Sequence, residues 1–140
     1  MRPLLVPELH CSDLDKSLDF YVGLLGFRVL YDRPEERFAY LDRNGAELML
    51  DEYVPGARML AKAPFERPFG RGVNFQIAVD DVDVIHAAVV SAGLSAFLPL
   101  EERWYRRDEA EIGVRQFIVQ DPDGYLIRLS QRLGRRQITK

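Results

Sequence analysis

Few side chains of this 140-residue chain could do chemistry. Histidine occurs twice, at His10 and His86, and cysteine once, at Cys11. His10 stands two residues after Glu8 in "VPELHCSDLD", and a histidine beside carboxylates can be tuned around neutral pH as a general acid or base. No serine or cysteine is spaced with a base and an orienting group to form a nucleophile, and no glycine-rich run could cradle a phosphate. The lone Cys11 excludes an intrachain disulfide and a cysteine-built zinc site, and reads as a small apolar filler in a reducing compartment. A misplaced charge stands in "QDPDGYLIRLSQ", Gln120 to Gln131. Asp-Pro-Asp-Gly reverses the chain, and Tyr125 to Leu129 then read as a strand with Arg128 in its middle. A guanidinium is a permanent cation, so inside a sheet it must meet an acid or reach water.

The elements that position these groups belong to an ordinary globular chain of 47% apolar and 29% charged residues. No run approaches the ~18 apolar residues of a membrane span, and the N-terminus meets acids too early for a signal peptide, so a cytoplasmic home is expected. A net charge of −3 argues against a nucleic-acid surface. Arg103, Arg106 and Arg107 are interleaved with Glu101, Glu102, Asp108, Glu109 and Glu111, which reads as a solvated loop. The acidic balance suits a cationic small molecule instead.

Internal repetition organises the chain. "VPELHCSDLDKSLDFYVGLLGF" and "NFQIAVDDVDVIHAAVVSAGL" share one plan, with Asp13 and Asp81 at an offset of 68 residues. Each is an alternating strand, an acidic cap, an amphipathic helix and a closing glycine. The stripes are Leu14, Leu18, Tyr21 and Leu25 in the first copy, and Val82, Ile85, Val89 and Ala92 in the second. Three strand-like runs follow each helix, giving βαβββ twice. The expected organisation is one domain over 1–140: a first module at 4–53, a connector at 54–72, a second module at 73–131 and a frayed tail at 132–140.

The motifs "SDLDKSLDFYVGLLGF", "VDDVD" and "RQFIVQDPDGYLIRL" resemble the vicinal-oxygen-chelate superfamily of glyoxalases, bleomycin-resistance proteins and dioxygenases, over about residues 4 to 131. The resemblance implies an α+β fold of paired βαβββ modules, with mixed sheets curled around a cleft and commonly a homodimer. It also implies four positions where the metal enzymes hold ligands, which fall here on Val6, Asp51, Asn74 and Arg128. A valine cannot coordinate and an arginine repels a cation, so these positions are degenerate; no metal and no cofactor is expected, and Arg128 is expected to pair with Asp51.

Alternation along the strands from those anchors gives a cleft wall of Glu8, His10, Glu47, Met49, Asp51, Tyr53, Asn74, Gln76 and Arg128. Phe38, Tyr40 and Trp104 could add flat surfaces for a planar ligand, with acids nearby for a cationic one. "ELMLDEYVPG" and the arginine after Asp-Pro-Asp-Gly look like the bleomycin-resistance group, whose dimers sequester a cationic, planar-ended antibiotic. The expected function is therefore metal-free binding and sequestration of a small molecule, a bleomycin-type antibiotic being the first candidate, with no catalytic residue and no nucleic-acid or membrane partner. Two alternatives stay open: a metal-dependent lyase or dioxygenase of the same superfamily, and a binder of another metabolite.

Overall fold

The computed structural model describes residues 3–56, 59 and 66–138. Parts of the expected connector (57, 58 and 60–65) and the last two residues of the expected tail lie outside the described residues. Among the described residues no helix is long and apolar enough to cross a membrane. The fold is α+β, with two mixed four-stranded sheets and few helices. The chain divides into two compact units, 1–69 with 121–124, and 70–120 with 125–140.

In the first unit the strands are β1 (Glu8–Cys11), β2 (Arg28–Arg33), β3 (Phe38–Arg43) and β4 (Ala46–Glu52). They lie in the order β1-β4-β3-β2, with β1 parallel to β4 and the remaining pairs antiparallel. Helix α1 (Leu14–Leu18) starts where expected: the Asp13 carboxylate accepts the backbone N–H groups of Asp15 and Lys16. It then widens into a π-helical segment, Asp19–Leu24, in which Leu25 N–H reaches back to Phe20 O at 3.1 Å. The widening changes the buried set. Leu14, Ser17, Phe20, Tyr21 and Leu25 are buried, while Leu18 of the expected stripe is only half-buried. These residues pack with the alternate residues Leu9, Cys11, Ala39, Leu41, Leu48 and Leu50, which make one face of the sheet apolar.

The Asp-Pro-Asp-Gly turn belongs to this first unit although it sits between the last two strands of the second module. Asp123, 1% exposed, accepts the backbone N–H and the hydroxyl of Ser12 and pairs with Arg67 at 3.2 Å. Asp121 accepts the Tyr21 hydroxyl at 2.7 Å and the Asp123 N–H at 2.9 Å. Two buried acids are thus tied into the core by donors, which is what a carboxylate out of water requires. The turn, expected within the module at 73–131, is thus grouped by its contacts with the first unit.

The second unit repeats the plan with β5 (Asn74–Ala78), α2 (Val82–Ser91), β6 (Leu98–Arg107), β7 (Ala110–Gln120) and β8 (Leu126–Gln137), in the order β5-β8-β7-β6. Asp81 caps α2 as Asp13 caps α1. Val82, Ile85 and Val89 bury toward Phe117, Val119, Ile127 and Leu129. Two expectations fail here. The charged stretch 101–111 is a hairpin, not a solvated loop, with β6 paired to β7 from Glu101↔Gln116 to Arg107↔Ala110. The tail does not fray at 132, because β8 pairs with β7 as far as Gln137↔Ala110. Its basic residues are held in the sheet, as where Arg136 lies over the Trp104 ring at 4.2 Å and bonds Glu111 at 3.2 Å.

Candidate functional site

The face of the first sheet turned away from α1 carries most of the expected wall. Register places side chains in rows across it: His10, Asp51, Phe38 and Arg33 in one, and Glu8, Met49, Tyr40 and Tyr31 in the next. Glu47 and Asp42 begin a third. Tyr53 follows β4 and donates its backbone N–H to Cys11 O at 2.7 Å.

Two kinds of surface meet on this face. Toward β2 it is aromatic. Tyr31 stacks on Tyr40 with centroids 5.0 Å apart and planes 16° from parallel, and lies 6.1 Å from Phe38. Arg33 covers Phe38 with its guanidinium carbon 4.0 Å from the ring centroid. Tyr31 is 45% exposed, whereas Tyr40 and Phe38 are buried. Strand alternation had not selected Tyr31, whose pairing with Tyr40 follows a β-bulge between Val29 and Tyr31. Toward β1 the face is acidic. Glu8, His10 and Asp51 bring ligand-type atoms within 4.8 Å of one another, and His10 Nε2 is 4.0 Å from Glu8 Oε1.

In the second sheet Gln76 is in register with Arg128, and Asn74 with Leu126, so these expected residues share the face opposite α2. Asn74 and Gln76 are exposed. Arg128 is half-buried, and its Nε is buried with no hydrogen-bond partner. Arg128 belongs to the second unit and Asp51, its expected partner, to the first. Trp104 is a correction. Its neighbour Glu102 pairs with Arg115, which bonds Asp83 of α2 at 2.8 Å, so Glu102 and Trp104 stand on the α2 side of the sheet. The indole lies against Gly113, where an added Cβ would come within 2.7 Å of it. His86 sits on α2 with its ring 5.0 Å from Phe117, as its helical position implied. Cys11 is fully buried, and burial pushes its thiol up to about 12, which removes it as a nucleophile.

A family model described as the Glyoxalase/Bleomycin resistance protein/Dioxygenase superfamily matches residues 5–129. The chain belongs to this superfamily. A solved superfamily member from Vibrio splendidus 12B01 is 40% identical, over 91% of this chain and 97% of that one, with a TM-score of 0.43. TioX from Micromonospora sp. ML1 is 26% identical over 94% and 100%, with a TM-score of 0.66. Lactoylglutathione lyase from Agrobacterium tumefaciens is 18% identical over 94% and 97%, with a TM-score of 0.60, and shares the fold. No curated protein matches the chain.

Membership of the superfamily raises the question of a metal, and the side chains at the four implied positions answer it. Val6 has no donor atom, Asn74 is neutral and Arg128 is cationic, which leaves Asp51 as the single anionic ligand. That set does not fit a divalent ion.

Proposed function

We propose that this superfamily member is a cytoplasmic, homodimeric binding protein that sequesters a small, flat, positively charged molecule, with a bleomycin-type antibiotic as the first candidate. The observation that supports this reading is the face of the first sheet turned away from α1, where the Tyr31–Tyr40 stack and Phe38 adjoin Glu8, Glu47 and Asp51. A planar cation gains on such a surface twice. Its face finds the exposed Tyr31 ring, held in place by the buried Tyr40 behind it and worth about 0.5–1.5 kcal/mol beyond area burial, and its charge finds carboxylates on the same sheet. Met49 between the two regions supplies a polarisable, adaptable contact. On this reading no bond is made or broken.

The test is calorimetric titration of the EDTA-treated full chain with metal-free bleomycin. Binding with a Kd below about 1 µM and near one ligand per chain is expected. Tyr40→Ala should weaken it roughly 3- to 10-fold, the equivalent of one aromatic contact. Absence of heat at ligand concentrations well above 1 µM would remove this antibiotic class and leave the face to another flat cation.

A further inference from the structure

The acidic end of that face holds an arrangement that shares Asp51 with the superfamily's ligand positions, and Glu8 and Asp51 with the binding reading, but adds an imidazole that neither uses. We propose that Glu8, His10 and Asp51 form a divalent transition-metal site built within the first unit alone. Among the described residues these three come together with one ligand atom each, all within 4.8 Å of one another.

The local structure explains why. β1 and β4 are parallel neighbours, and the register sets His10 directly beside Asp51. Adjacent strands run about 4.8 Å apart, so the two side chains rise side by side. Glu8 is two residues back on the same strand and therefore on the same face, and its longer chain brings Oε1 to 4.0 Å from His10 Nε2. Backbone pairing fixes the bases of all three groups before any ion arrives.

The donor set has the right chemistry for a first-row ion. One imidazole and two carboxylates suit Zn, Fe, Co, Ni or Mn, and three protein ligands leave coordination positions for water or a ligand. The two carboxylates also balance the charge of a divalent ion. Bonds near 2.1 Å would place the ligand atoms roughly 3.0–3.4 Å apart, so the trio must contract by about 1 Å. Glu8 is exposed and supplies that movement by changing rotamer, while the His10 side chain, 12% exposed, stays as the less mobile post. Without a cation, two carboxylates within 4.8 Å repel each other on a partly desolvated surface, and a bound ion reverses the sign of that interaction.

The proposal stands apart from the ligand reading, since a protein with no affinity for a flat cation could still hold the ion. It is tested with cobalt(II) alone, added to the EDTA-treated full chain and followed by visible absorption, with bound metal per chain measured after dialysis. One cobalt per chain with saturable d–d bands is expected. His10→Asn and Asp51→Asn should each weaken binding by more than the roughly 10- to 100-fold typical of losing a residue that only supports a metal ligand. Glu109→Gln, which removes an exposed acid in the β6–β7 turn, should leave the titration unchanged. Far-ultraviolet circular dichroism of each variant checks that the sheet is intact. Linear, unsaturated uptake, or saturable uptake that survives His10→Asn in a folded variant, would overturn the proposal.

Discussion

Arg128 shows what a single residue can carry into a sheet against its own solvation. The guanidinium sits in β8 between in-register Gln76 and Ile118, and its Nε is buried without a partner. An unpaired buried donor forfeits its hydration, a loss of about 1–3 kcal/mol. Arg128→Met keeps the aliphatic length and removes the donor, so it should raise stability by about 1 kcal/mol or more in urea unfolding. A clear loss of stability would mean that the rest of the guanidinium makes a contact outweighing the orphaned Nε. The sequence showed that this position carries a misplaced charge, because a strand periodicity with an arginine in it is legible at once. It did not reveal the partner. Spacing fixes the face on which a side chain stands, whereas an ion pair depends on atoms meeting within 4 Å. Trp104 was misplaced for a related reason: with 101–111 taken as a loop, no strand parity could be counted through it. Glu8, His10, Phe38, Tyr40, Met49 and Asp51 share one face, and each lies in a strand whose alternation is plain in the sequence.

At the scale of elements, helix α1 is held to its sheet by a carboxylate from β4. Glu52 accepts the backbone N–H of Leu14 at 2.9 Å, one of the donors that a helix start leaves unmatched, and the Arg37 guanidinium at 3.1 Å. The Leu14 N–H first, and then Arg37, hold the Glu52 carboxyl below its ordinary range. A carboxyl lowered in the folded state binds fewer protons there than when unfolded. Its contribution is therefore complete above the unfolded value, about 4.3, and is lost as pH falls through the lowered folded value. Glu52→Gln should cost about 1 kcal/mol at pH 7, and the gap from the parent should narrow progressively below about pH 4. Urea unfolding at pH 7 and pH 3 checks this, and a gap that does not change with pH would remove the charge from the explanation. The caps were legible because Asp13 and Asp81 each precede an apolar stripe, and Gly26 and Gly93 follow it with positive φ. The π-helical widening was not, since one extra residue per turn leaves no mark in a pattern of 12 residues. Nor was the 98–107 strand, whose charges stand on both faces and hide the period of two.

For the whole molecule, the faces turned away from the helices already hold buried residues, Phe38 and Tyr40 in the first sheet and Gln116 and Ile118 in the second, so the surfaces left for a second copy are strand edges. β5 ends at Ala78, in register with Ser130, so among the described residues β8 from Gln131 to Gln137 has β7 on one side and no strand on the other. In the first unit β2 is an edge with Val29 40% and Tyr31 45% exposed. Unpaired backbone beside exposed apolar side chains is a template for another chain, and natural proteins either block it or use it. The free part of β8 has no proline, but its three arginines are all of one sign and repel an identical edge, which leaves β2 as the less protected one. A two-fold dimer satisfies such surfaces in matching pairs, because the same patch occurs on both copies. Sedimentation equilibrium should therefore return twice 16.1 kDa, and adding a charge at the β2 edge by Tyr31→Glu should test whether that strand takes part. A dimer that survives Tyr31→Glu would shift the contact to β8, where Leu133→Glu is the corresponding probe. A single species at 16.1 kDa would instead mean that each chain meets its own burial needs, and that the aromatic and acidic face of the first sheet must hold its ligand without a second copy.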